Sequence, residues 1–230
     1  MRTLGFIGLL AVTLTLPHDV LAAAPNVTVG LLSKIIADVS HKGGAADWQP
    51  AKKGEPLLAG DRVKTGTKSM AIIKFMDNSL VRVRELTELT VTGTMSGSAF
   101  QKSVEMRTGV VGFSVEKQKS SEEFRFTSPT SVASIRGTSG AFEGMPRGDT
   151  LVVLEGLVGL KNLRSNKTVD VKAGYTGISL PDGSLFARVS TDDERNRAND
   201  ALRGDATRTL EFELRDSQGR PQHLKIEYRD

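Results

Sequence analysis

The chain has 230 residues, of which 38% are hydrophobic, 5% aromatic and 25% charged, and it contains no cysteine. That length and apolar content suit one large or two small domains with a real core, and they exclude a disordered or multi-span chain. Without cysteine there is no disulfide scaffold, thiol nucleophile, zinc–thiolate site or cysteine-anchored lipoprotein, and three histidines (His18, His41, His223) nearly exclude a multi-histidine metal site. No cofactor or metal is expected.

In chain order, residues 1–22 read as a secretory signal peptide. Arg2 is a short positive start, Leu4 to Leu16 form a run of 13 residues that is apolar apart from glycine and threonine, Pro17 breaks it, and Val20-Leu21-Ala22 or Leu21-Ala22-Ala23 offers the small residues a signal peptidase needs. A run of 13 falls short of the roughly 20 apolar residues of a spanning helix, and no later segment could span a bilayer as a helix. The expectation is a cleaved product in the periplasm with no membrane span in the mature chain.

Net charge is +4 overall; the signal segment contributes zero (Arg2 against Asp19) and residues 188–230 contribute −1 (9 basic, 10 acidic), so residues 23–187 carry +5. The lysines, among them Lys34, Lys52, Lys64, Lys74 and Lys102, are scattered without interleaved aromatics, which reads as a solvated surface. No nucleic-acid partner is expected; a weak preference for anionic envelope polymers remains open.

From Val27 to Val189 short extended segments alternate with turn chemistry. Ala71, Ile73 and Phe75 share one face, Asp77-Asn78-Ser79 makes a compact turn, and Val81 and Val83 then point inward with Arg82 and Arg84 outward. Leu89 and Val91 continue the pattern. Further strands are expected at 104–106, 110–115, 124–127, 150–154, 157–160, 169–171 and 176–180, punctuated by Gly, Asn and Pro. The pattern predicts an all-β fold over 27–189, an irregular β-sandwich or solenoid-like domain of many short strands.

Residues 190–230 differ. Thr191 and Glu194 have capping-box spacing, the stretch to Leu202 is helix-compatible with only Ala198, Ala201 and Leu202 to bury, and Leu210–Leu214 and Leu224–Tyr228 alternate around a turn. A small helix plus β-hairpin appendage is expected. The match of Asp77–Val83 to Asp182–Val189 shares turn chemistry more than register.

Several residues invite a structural reading of their own. Gly60-Asp61 suits a turn feeding the strand at Val63. Pro129 locks entry to an extended segment, Gly137 and Thr138 permit close backbone approach, and Arg136 after a buried-looking run needs a carboxylate or carbonyl partners, with Glu155 before Gly156 as the candidate partner in a structural ion pair, ahead of a ligand-binding arginine. Trp48 is read as a core or lid residue at one end of the β domain, ahead of carbohydrate stacking.

Taken in order, Trp48, Leu58-Ala59-Gly60-Asp61-Arg62-Val63-Lys64-Thr65-Gly66, Pro129-Thr130-Ser131-Val132-Ala133-Ser134-Ile135-Arg136-Gly137-Thr138 and Glu155-Gly156-Leu157-Val158 resemble the FecR domain. That family is the extracytoplasmic β domain of iron-uptake signal transducers and other envelope proteins, and the resemblance covers about residues 28–185. Members that control a sigma factor carry a cytoplasmic segment and a membrane helix ahead of this domain. Here the β domain follows the signal peptide directly, so the resemblance implies a stand-alone module.

No His-Glu-x-x-His, phosphate loop or nucleophile elbow is present, and Asp192-Asp193-Glu194 suits the negative first turn of a helix. Serine catalysis would have to use His41 or His223. The reading is a non-catalytic periplasmic protein acting as a protein-interaction or signalling scaffold with an envelope protein partner. The alternatives are an envelope polysaccharide- or peptidoglycan-binding protein and, further off, a hydrolase with an undetected carboxylate pair.

Overall fold

A computed structural model describes residues 27–96, 99–118, 122–204, 207–215 and 220–229. The expected signal segment lies outside the described residues.

Strand after strand, the chain builds one hydrogen-bonded sheet of 17 strands that folds over into two facing layers. The elements are β1 (Thr28–Ile36), β2 (Val39–Lys42), β3 (Gln49–Pro50), β4 (Pro56–Leu58), β5 (Arg62–Thr65), β6 (Met70–Phe75), β7 (Leu80–Val83), β8 (Glu88–Ser96) and β9 (Ala99–Val115). They continue with β10 (Phe124–Thr127), β11 (Ser131–Ile135), β12 (Thr138–Met145), β13 (Gly148–Glu155), β14 (Leu157–Asn162), β15 (Thr168–Lys172), β16 (Tyr175–Ser179) and β17 (Leu185–Val189). The expected all-β sandwich, wound from layer to layer, is what forms.

The fold pivots on β9. Its first part pairs with β8 and, in parallel, with β10; its last part, from Gly109 on, pairs with β7 and β12. One layer therefore runs β4-β1-β6-β7-β9-β12-β13-β16-β17. The other runs β3-β2-β5-β8-β9-β10-β11-β14-β15. The two segments expected at 104–106 and 110–115 are one continuous strand, because β9 changes layer without breaking.

Period-two alternation explains the core. Ala71, Ile73, Phe75, Val81, Val83, Leu89 and Val91 are all buried, as their spacing requires. Phenylalanines lock the layers: Phe75 meets Phe124 edge-on at 4.9 Å between ring centroids, and Phe126 lies 5.2 Å from Phe113 and 6.0 Å from Phe142. Lys102 departs from the expectation of a solvated lysine. It is 2% exposed and bridges to Asp77.

Helix α1 (Asp192–Leu202) has the expected cap: Thr191 Oγ1 accepts from the Glu194 backbone N–H, and the Glu194 carboxylate accepts from Thr191 N. Ala198 and Ala201 bury against Ala141 and Val152 on the outer side of the first layer. A Cβ on Gly112 of β9 would fall 2.1 Å from the Ala201 carbonyl oxygen, so glycine there lets the helix lie flush. Arg82 and Arg84 leave the core as expected, yet both are half-buried; Arg84 Nη1 donates to the carbonyl of the C-cap Arg203 at 3.4 Å, adding a cation at the end of a helix whose last turn has no basic residue. Beyond the helix, β18 (Thr207–Arg215) and β19 (Pro221–Arg229) form the expected hairpin in its own two-stranded sheet.

Candidate interaction surface

The residues singled out by sequence fall into three places. Gly60, at φ +95°, and Asp61 form the turn into β5, where Asp61, 5% exposed, accepts from Leu58 N at 2.8 Å. His41 packs between this carboxylate (Nε2 to Oδ2, 3.1 Å) and Glu55 (Nδ1 to Oε1, 3.2 Å). It staples β2 to the two turns flanking β4, with no serine hydroxyl in the arrangement. Trp48 is not a core residue: it is half-buried, with the Arg62 guanidinium 5.3 Å from its ring centroid, and Arg62 in turn pairs with Glu88.

Gly137, Thr138, Glu155 and Gly156 come together where the chain passes between layers. The β11–β12 and β13–β14 crossings stack on each other: a Cβ on Gly156 (φ +85°) would lie 2.7 Å from Thr138 Oγ1 and 2.8 Å from the Gly137 carbonyl oxygen. Thr138 Oγ1 donates to the Leu157 carbonyl at 3.1 Å. The expected buried Arg136–Glu155 pair does not form. Arg136 is exposed and its charge acts on Glu123, while Glu155 is exposed and accepts from Ser139 Oγ at 3.3 Å. The reason is geometric: Ile135 fills the inward position, so the next residue on the strand faces solvent.

Pro129 belongs to the third place, which sequence reasoning did not assemble. Four hairpin turns (128–131, 145–148, 163–167 and 180–184) gather at the end of the sandwich where β9 changes layer. Two buried polar hubs hold them. Asp149, 1% exposed, accepts from the Ser128 hydroxyl and, at 2.6 Å, from the Ser131 hydroxyl. Burial raises its carboxyl pKa above the ordinary range, and the two serine hydrogen bonds offset this only in part. Ser128 Oγ in turn accepts from Thr130 N and Ser131 N, both at 2.9 Å, fixing the turn around Pro129.

Asn162, fully buried, uses both ends of its amide. Its NH2 donates to Ser179 Oγ (2.8 Å) and the Leu180 carbonyl (2.9 Å), and its oxygen accepts from Arg164 N and Ser165 N at 2.9 Å each. The Leu163 N–H donates to the Thr130 carbonyl (2.9 Å), and Arg164 Nη1 to that of Pro181 (3.1 Å). Every turn is thereby tied to a neighbour, giving a rigid platform whose exposed residues include Pro129, Met145, Pro146, Arg147, Leu163, Arg164, Lys167 and Pro181. The Pro-Arg-Gly and Pro-Asp-Gly turns are plain in the sequence; that they converge depends on strand order, which no local pattern states.

Beside the platform, Glu88 and Glu105 line one cavity of about 400 Å³ together with Arg62 and Arg107. Glu88 is held by Arg62, which makes the pair an ionic clasp. Among the described residues no group of three or more His, Asp or Glu side chains is arranged to hold a metal ion.

Residues 61–159 match the family described as FecR protein. The match starts at Asp61 and ends at Gly159, inside the two-layer body, which extends beyond it on both sides. The fold superposes on a crystal structure of a candidate anti-sigma factor from Parabacteroides distasonis with a TM-score of 0.51 and 13% identity, over 69% of this chain and 70% of that one. A second crystal structure of the same description and species matches with a TM-score of 0.51 and 13% identity, over 64% and 66%. No curated protein matches the chain. The motif residues, the two-layer winding and the family match agree: over residues 61–159 this chain is similar to the FecR protein family.

Proposed function

We propose that this chain is a non-catalytic signalling module of the cell envelope that works by contact with a protein partner, and that the four-turn platform is the contact surface. The observation that carries this is the platform's construction. Two fully buried polar hubs, Asp149 and Asn162, fix four turns whose outward residues are largely apolar or cationic. A loop surface held this firmly presents a defined shape and loses little freedom on binding. The FecR match supports a signalling-related role, and the export signal read from residues 1–22 supports the periplasm as its place of work.

The test is affinity capture from envelope extract with the exported chain, followed by identification of retained proteins. One reproducible partner, retained at low salt and competed by the free chain, is expected. Failure to retain any protein under gentle conditions contradicts the reading. A second reading, binding of an anionic envelope polymer, draws on the cations of the platform and the +5 of residues 23–187. Sedimentation with purified sacculi at about 50 and about 300 mM salt checks it, since exposed charge contacts weaken as the screening length shortens.

A further inference from the structure

We propose that the groove between the 128–131, 145–148 and 180–184 turns binds a short acidic, aliphatic peptide segment of a protein partner; this rests on the reading of the chain as a protein-interaction module. The groove has a volume of about 410 Å³ and is lined by Arg107, Pro129, Met145, Pro146, Arg164 and Pro181.

Arg107 is there because β9 bulges. Leu89 pairs with Met106 and the adjacent Glu88 with Thr108, which leaves Arg107 as the extra residue of the longer strand. A bulge of this kind re-aims one side chain, and here Arg107 and Thr108 are both exposed while Met106 stays buried. Arg107 thus lines the groove together with Arg164. Among the described residues, neither of these arginines nor the neighbouring Arg147 and Lys167 has a carboxylate within ion-pair distance. Of the acids nearby, Asp149 lies beneath the surface on two serines, Asp182 accepts from Ser184 N at 2.8 Å and feels the Arg164 charge, and Glu105 is exposed in the adjoining cavity that it shares with Arg107.

Apart from Thr130, the remaining wall is apolar. Three prolines contribute rigid rings and no N–H donors, and Met145 and Leu163 are 37% and 47% exposed on the rim. Guanidiniums favour carboxylates, and the apolar wall favours aliphatic side chains. An extended peptide carrying both satisfies both surfaces, since its successive side chains point to opposite sides. A polysaccharide of carboxylates would match the arginines and leave Met145, Leu163 and the prolines uncovered.

Fluorescence anisotropy tests this with the full chain and a labelled acidic probe of about eight residues repeating Glu-Leu-Asp, against a Lys-Leu-Lys control and polygalacturonate. Saturable binding of the acidic probe alone is expected, weakened ten-fold or more between about 50 and about 300 mM salt. R107E/R164E should lose ten-fold or more, and R147E/K167E, which touches no turn hydrogen bond, should lose several-fold; both should keep the wild-type circular dichroism. K52E/K74E removes the same charge elsewhere and should bind normally. No saturable binding, an equal loss in K52E/K74E, or preference for polygalacturonate overturns the assignment. Partner capture undiminished in R107E/R164E also overturns it and leaves the interaction reading standing, whereas no capture by the wild-type chain removes that reading itself.

Discussion

Lys102 Nζ lies 2.9 Å from Asp77 Oδ2, an ion pair that joins β9 in one layer to the β6–β7 turn of the other. The lysine is 2% exposed and the aspartate side chain 19%. Burial works against ionisation of Asp77, but hydrogen bonds from Gln118, Lys102 and Ser79 outweigh it, and its carboxyl sits below the usual range. The two partners are therefore unequal. Asp77→Ala strands a buried ammonium and is expected to cost about 3–5 kcal/mol, whereas Lys102→Met leaves Asp77 with Gln118 and Ser79 and should cost about 1–2 kcal/mol. Urea unfolding of the two variants measures the asymmetry; equal costs would mean the lysine is solvated.

Two glycines on the layer crossings separate backbone strain from close approach. Gly156 and Gly174 have similar φ, +85° and +80°, but an added methyl group would meet neighbours within 4 Å only at Gly156. Gly174→Ala should cost about 1–2 kcal/mol for the left-handed backbone alone. Gly156→Ala adds the clash with Thr138 and Gly137 and should exceed it by at least about 1 kcal/mol, read as a lower melting temperature. Equal losses would show that the crossings do not stack.

Glu194 makes the attachment of α1 acid-sensitive. A bidentate bond from Arg188 (2.8 and 2.7 Å), opposed by burial and helped by Thr191 N and Thr176, lowers its pKa from 4.5 to about 2. A depressed carboxyl stabilises the fold above its unfolded pKa and loses that contribution as pH falls through the folded one. The window is thus about pH 4.5 down to 2, with about 1–2 kcal/mol at stake because Arg188 is 43% exposed. Glu194→Gln should flatten the acid limb of the stability curve by that amount. An unchanged limb would place the acid sensitivity elsewhere.

Asp149 works in the opposite direction, since burial raises its carboxyl in the folded state. Ionised Asp149 carries a penalty above its folded pKa that is relieved as pH falls through it toward the unfolded value. Asp149→Ala orphans the hydroxyls of Ser128 and Ser131 and should cost about 2–3 kcal/mol, with faster amide exchange in residues 128–131 as the local signature. Asp149→Asn keeps an acceptor and should cost less than about 1 kcal/mol at neutral pH. If Asn and Ala behave alike, the serines do not depend on this carboxylate.

Alternation makes the inner faces of β6, β7 and β8 legible, because one buried face imposes period two on the sequence. β12 is hidden from such a reading since Thr138-Ser139-Gly140-Ala141-Phe142 is small and glycine-rich, suited to lie between β9 and β13 under α1. The capping box of α1 is readable because it is local, within four residues. Lys102 looks like any surface lysine, for its partner is 25 residues away and the spacing carries no signal. The same limit applies to the platform: Pro129, Pro146 and Pro181 each mark a turn, but only the strand order brings them around one groove.

Photo-crosslinking in living cells tests the platform's role most directly. A crosslinking residue at position 147, on the platform, is compared with one at position 74, which the β6–β7 pairing puts at the opposite end of the sandwich. The account expects a discrete adduct with one protein from position 147 and none from 74. An adduct from 74 alone, or none from 147 in a correctly folded and exported chain, would contradict it.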